Sequence, residues 1–164
     1  MPLLTRLCGV IAAIGFAIAL FVHCLTFAQV DVQTDYPLVW LLHLGCFLVF
    51  IPFVFATRSE FGPKPSFSQL RAALPGWAGV LLICVFTYAI VNFGLLFLHT
   101  EGGSPSESNG AFVLQSHGKV IRQLTEAEYH LQRAYIIRGF SGHWLVFYLV
   151  PALYFLFRSP RAEA

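Results

Sequence analysis

Four long stretches of this chain contain no charged side chain and are dominated by apolar residues. They cover residues 7–28, 37–56, 74–98 and 140–157. A helix of about 20 apolar residues crosses the hydrocarbon core of a bilayer, which is about 30 Å thick. Lipid offers the backbone no hydrogen-bond partner, and these runs lack the alternating polarity of barrel strands. The pattern therefore predicts four transmembrane helices.

A polar segment, residues 99–139, separates the third predicted span from the fourth. Its first part, residues 101–110, reads EGGSPSESNG and has the small polar composition of a flexible linker. Residues 111–124 contain two β-prone runs around a Ser-His-Gly-Lys break, which predicts a β-hairpin. Because an isolated hairpin is only marginally stable in water, this one needs the membrane, a helix or a partner beside it.

A helix is predicted over residues 125–138, directly after the hairpin. Thr125 and Glu128 have the spacing of a capping box, and apolar residues recur after them at helical spacing. We expect this amphipathic helix to lie on the bilayer surface or cover the hairpin, and to stop or bend near Arg138 and Gly139. The fold class predicted is an all-α membrane protein with four transmembrane helices and a small extracytoplasmic hairpin and helix between spans three and four.

Charge indicates an orientation for the predicted spans. Only 11% of the residues are charged, against about a quarter in soluble proteins, and the net charge of +2 is too small for a nucleic-acid binder. Basic residues precede the first span, lie between the second and third, and follow the fourth, whereas the loop of residues 29–36 has none. The positive-inside rule then predicts cytoplasmic termini, an extracytoplasmic segment at residues 99–139, and a cytoplasmic tail after residue 157 in a bacterial-type inner membrane.

The first apolar run has a second interpretation. Arg6, the apolar run and the small residue Ala28 resemble the parts of a cleavable signal peptide. The run is longer than the apolar region of a typical signal peptide, which favours a retained transmembrane helix.

Histidines provide the most specific chemical hypothesis. The predicted topology places His23, His43, His99 and His143 in the outer third of the four helices, one on each helix. A haem b group in a helical bundle needs two neutral imidazoles at similar depth on different helices. His23 and His43 are the best-placed pair, with His143 as a third candidate, and several converging imidazoles are also suited to zinc or copper. The alternative, which we favour, is that these histidines are structural, so that no cofactor is expected.

Two further patterns inside the spans predict helix–helix packing. Asn92 lies well within the third span, where an asparagine usually hydrogen-bonds a neighbouring helix. Gly9, Ala13 and Ala17 recur at four-residue steps, which predicts a small-residue face that lets another helix approach closely.

The junction between the predicted surface helix and the fourth span is rich in special residues. It reads RGFSGHW from Arg138 to Trp144. Arg138 is predicted to reach phosphate headgroups, and Trp144 to lie at the membrane interface. Arg138, His143 and Trp144 form the candidate functional patch beneath the hairpin, and an interfacial anchor is the simpler interpretation.

No catalytic motif was found in the chain. It lacks a glycine-rich phosphate loop, the HExxH and GxSxG patterns, and paired carboxylates inside the spans. The sequence therefore favours a non-catalytic accessory or interaction protein, embedded in the lipid bilayer, that contacts a partner protein through its extracytoplasmic hairpin and helix. The alternative is a membrane electron-transfer protein that binds haem b, and a lipid-modifying enzyme is a weaker third hypothesis.

Overall fold

The computed structural model describes residues 3–108 and 110–158. A 3₁₀ turn, Pro37–Trp40, leads directly into α3, and the three strands lie between α5 and α6. The helices and strands are α1 (Leu3–Phe27), α2 (Val32–Asp35), α3 (Leu41–Phe61), α4 (Phe67–Ala73), α5 (Gly76–His99), β1 (Ser104–Ser108), β2 (Ala111–Ser116), β3 (Lys119–Gln123) and α6 (Glu126–Phe157).

Four helical segments of the described chain are long and apolar enough to cross a membrane, as the sequence predicted. They are α1, the segment Pro37–Phe61, α5 and α6. Their length and composition are compatible with a multi-pass membrane protein. The end of the bundle that carries the three strands is called the sheet end below.

Helix α6 differs from the prediction because it is one continuous helix of 32 residues. At 1.5 Å per residue it is about 48 Å long, which exceeds the thickness of a hydrocarbon core. The break expected near Arg138 and Gly139 does not occur. Gly139 and Gly142 instead allow α5 to approach, since a Cβ atom would lie 2.7 Å from Leu96 at Gly139 and 2.4 Å from Asn92 at Gly142. Close packing thus explains the glycines that resembled a helix break.

Helix α6 is also the centre of the bundle. Helices α1, α3 and α5 each pack against α6, and α1 packs against α3 as well. The buried face of α1 begins with the small residues Gly9, Ala12, Gly15 and Ala19 and continues through Val22, His23 and Thr26. The predicted face of Gly9, Ala13 and Ala17 is therefore correct only in part, because Ala13 is half-buried against the core and Ala17 is exposed. The buried residues follow the 3.6-residue repeat of the α-helix. Residues spaced by four positions each time gradually rotate away from that face.

The polar segment folds into a three-stranded antiparallel sheet in the order β1-β2-β3. Strands β2 and β3 form the predicted hairpin, and its turn places His117 and Gly118 at φ values of 50° and 79°. Two successive positive φ angles match the tight turns that follow the twist of a hairpin. The predicted flexible linker over residues 101–110 is wrong, because Ser104–Ser108 pairs with β2 as strand β1.

The capping box at the start of α6 is confirmed. The backbone N–H of Glu128 donates to the Thr125 hydroxyl at 3.2 Å, and the backbone N–H of Thr125 donates to the Glu128 carboxylate at 2.8 Å. These bonds satisfy amide groups that have no partner within the helix. The chain thus passes from the sheet into α6 with no intervening loop beyond the cap.

Candidate functional site

Asp31 connects the loop after α1 to the part of α6 nearest the sheet. Its carboxylate accepts a hydrogen bond from the Thr34 hydroxyl at 2.8 Å. It also lies 2.7 Å from His130 Nδ1 and 3.0 Å from Arg133 Nε, both on α6. Asp31 is 8% exposed, so solvent screens these contacts only weakly. The carboxylate therefore joins two segments that the sequence does not place together.

These contacts change the acidity of Asp31. Burial by itself would raise the pKa of the carboxyl, because it disfavours the charged form. Hydrogen bonds from His130 and Thr34, together with the positive charge of Arg133, outweigh burial and hold the pKa of Asp31 below its ordinary value. The folded state thus favours the ionised carboxylate.

We expect the contribution of Asp31 to stability to depend on pH. A lowered carboxyl pKa means that the contribution is complete above the ordinary pKa and is lost as the pH falls through the folded one. The melting temperature of the wild type in mild detergent should exceed that of Asp31→Asn at about pH 5, and the difference should shrink below about pH 4. Asparagine still caps α2, so the comparison isolates the charge.

Asp35→Asn is the matched control, because Asp35 ends α2 close to Asp31 and forms no ion pair among the described residues. A wild-type advantage over Asp31→Asn that persists unchanged at pH 3 would contradict the assignment of the charge to this contact.

A second polar cluster lies inside the bundle around His23, which is 3% exposed. His23 Nδ1 lies 2.7 Å from the Ser141 hydroxyl of α6, and Nε2 bonds the Tyr88 hydroxyl of α5. A neutral imidazole has one donor and one acceptor nitrogen, and a hydroxyl group complements either of them. His23 therefore joins three helices through hydrogen bonds that use both of its ring nitrogens.

Arg138 lies beside this cluster and faces the end of α1. Its guanidinium donates to the Thr26 carbonyl through Nη2, and its Nε lies 3.4 Å from the Thr26 hydroxyl. The Cζ atom lies 4.4 Å from the ring centroid of Phe27 and 5.2 Å from that of Tyr135. The last carbonyls of a helix have no partner within it, so Arg138 caps α1 from a different helix.

Asn92 has the packing role that its position in the third span predicted. Its side-chain amide donates to the Arg138 carbonyl at 2.8 Å and lies 3.4 Å from the Gly139 carbonyl. Asn92 is 4% exposed and bridges α5 to α6. It also fixes the part of α6 from which the Arg138 side chain projects.

Trp144 is buried in the bundle, so its indole does not project outward as an interfacial anchor would. The indole is 0% exposed and donates to His43 Nδ1 at 3.0 Å. Its ring centroid lies 5.8 Å from that of Trp40, in an edge-to-face arrangement. The sequence shows only how far along the helix Trp144 lies, whereas the rotation of α6 directs the indole toward α3.

His143 occupies a different environment from the other two candidate histidines. Its Nδ1 lies 3.1 Å from the Gly139 carbonyl, and its ring packs edge-on against Phe93 at 4.6 Å. His143 also lines a cavity of about 550 Å³ between α3, α4, α5 and α6. Apart from His143 and Thr87, the side chains around this cavity are apolar. The structure thus directs His143 toward α5 and Arg138 toward α1.

The haem hypothesis stays a prediction. His23, His43 and His143 each contact a different set of partners, and ligation through His23 Nε2 would displace the Tyr88 hydroxyl. Within residues 3–108 and 110–158, no group of three or more His, Cys, Asp or Glu side chains is arranged to hold a metal ion.

Comparisons with family models, with curated proteins and with solved structures found no match to the chain.

Proposed function

We propose that this chain is a non-catalytic accessory protein of a cytoplasmic membrane that presents its sheet, on the outer side, to a partner protein. In this proposal both termini are cytoplasmic. The observation that carries the proposal is the continuity of α6, which extends from the sheet through the whole bundle without a break. A helix of this kind holds an extramembrane surface in a fixed orientation relative to the bilayer.

Several contacts support a rigid attachment of the sheet to α6. Phe112 of β2 stacks on Tyr129 of α6 with ring centroids 4.5 Å apart. Arg122 of β3 forms ion pairs with Glu101 at 3.1 Å and with Glu128 at 2.9 Å. Such exposed pairs contribute little singly, so the stacked rings contribute more to the attachment than either ion pair does.

The two edges of the sheet differ in their suitability for a partner. Strand β1 contains Pro105, which has no backbone donor and therefore weakens pairing at that edge. Strand β3 has no proline and carries Val120 and Ile121, which are 58% and 45% exposed. Ile121 has no pairing residue on β2, because a bulge interrupts the register there. Two adjacent exposed apolar side chains on an open edge are suited to contact with another protein.

The proposal predicts that charge on β3 abolishes partner binding. Val120→Lys combined with Ile121→Lys should lower the yield of a crosslinked partner from native membranes at least tenfold, because two buried ammonium groups oppose an apolar contact. Ser106→Lys, on the β1 edge, is the matched control and should leave the yield unchanged. Equal yields of the same partner from all three proteins, each with an unchanged melting temperature, would refute the proposed surface.

A further inference from the structure

The sheet end of the bundle contains a small cavity between α1, α5 and α6. It has a volume of about 120 Å³, close to that of about four water molecules. Its polar lining residues are Tyr88, Asn92, His99, Tyr135 and Arg138, and no Asp or Glu lines it. The cavity thus combines one permanent cation with several hydrogen-bonding groups and no negative charge.

Arg138 has no carboxylate partner within the described residues. The ion pairs formed there involve Arg122, His130, Arg133 and Arg158. Arg138 is half-buried, and it donates to uncharged oxygen atoms of Thr26. A guanidinium with reduced access to water and no counterion is expected to attract an anion.

Exposed apolar side chains form part of the cavity's border. Phe27, Val91 and Leu95 also line the cavity, and these side chains are 58%, 56% and 43% exposed. Exposed apolar side chains on a helix of this composition are suited to contact with acyl chains. An anionic group that binds from this side is therefore expected to be attached to apolar chains. The phosphate of a phospholipid has such chains, and a free ion has none.

We propose that this cavity binds the phosphate group of a phospholipid, with the acyl chains lying along the surface between α1 and α5. The guanidinium of Arg138 supplies the charge, and planar N–H groups match phosphate oxygens well. The Tyr135 and His99 rings stack 4.4 Å apart and form one wall of the site. The phosphate neutralises the charge of Arg138. Lipid binding at this cavity does not depend on whether a partner protein contacts β3.

The experiment measures lipid-dependent stabilisation of the full chain in mild detergent. Phosphatidylglycerol, diacylglycerol with the same chains, and inorganic phosphate are titrated separately while the melting temperature is followed. We expect saturable stabilisation by phosphatidylglycerol and none by the other two. Arg138→Gln should weaken the apparent affinity for phosphatidylglycerol at least tenfold, since its charge-assisted hydrogen bonds are lost. Arg133→Gln, on the same helix, should leave that affinity unchanged.

A second variant keeps the test decisive if loss of the α1 cap unfolds Arg138→Gln. His99→Leu keeps a side chain of similar size, leaves the contacts of Arg138 with Thr26 intact, and removes a hydrogen-bonding imidazole from the cavity, so it should also weaken lipid binding. Unchanged affinity in both variants would overturn the proposal. Equal stabilisation by diacylglycerol would overturn it by showing that only the chains matter, and equal stabilisation by inorganic phosphate would replace it with a site for a free anion.

Discussion

Replacing Trp144 with alanine is expected to lower the free energy of unfolding by about 3 kcal/mol. The indole is 0% exposed, and it packs against the rings of Trp40 and His43. Its removal leaves a cavity that the rigid helix backbones cannot close. The loss is expected at the low end of the range for aromatic-to-alanine changes, because the alternative environment in a membrane is lipid rather than water.

Denaturant titration in mild detergent measures this loss, and Trp144→Phe is the matched control. Phenylalanine keeps an aromatic ring but removes the hydrogen bond to His43, so the expected cost is about 1 kcal/mol. A Trp144→Ala protein as stable as the wild type would contradict the buried position of the indole.

Replacing Gly15 with alanine is expected to separate α1 from α6. An added Cβ atom would lie 2.3 Å from the Tyr148 ring, and that ring is 3% exposed. Because the ring is held between α1 and α3, it has no free space to enter, and the helices must move apart. Overpacking of this kind costs about 1–3 kcal/mol, which a fall in the melting temperature would report. Gly94→Ala is the control, since no atom lies within 4 Å of its added Cβ.

Gly45 provides a sharper version of the same test. A Cβ atom there would lie 2.2 Å from the Tyr148 hydroxyl oxygen, but 3.4 Å from the nearest ring carbon. Gly45→Ala should therefore destabilise the wild type and be tolerated in a Tyr148→Phe background. Equal destabilisation in both backgrounds would contradict the contact between the two residues.

The predicted sites illustrate why position along a helix does not fix a partner. His23 and Asn92 were identified because polar groups in an apolar span usually have a role. Their partners were not identified, since Ser141 lies 118 residues from His23 in the chain. Asp31 lies in the short connection of residues 29–36, and no local sequence pattern indicates that it meets His130 and Arg133. Partners of this kind emerge only when the helices are assembled.

The sequence by itself determined the four apolar helices, the hairpin turn and the Thr125 capping box. Each of these depends on residues within one span, one turn or one hairpin, so local hydrogen bonding and solvation decide them. Tertiary structure decided the rest. Gly139 and Gly142 remain helical because α5 packs closely against them. The polar run of residues 104–108 becomes strand β1 because the edge of β2 is available for pairing. The rotation of α6 likewise buries Trp144, because packing against α1, α3 and α5 fixes which face of the central helix points inward.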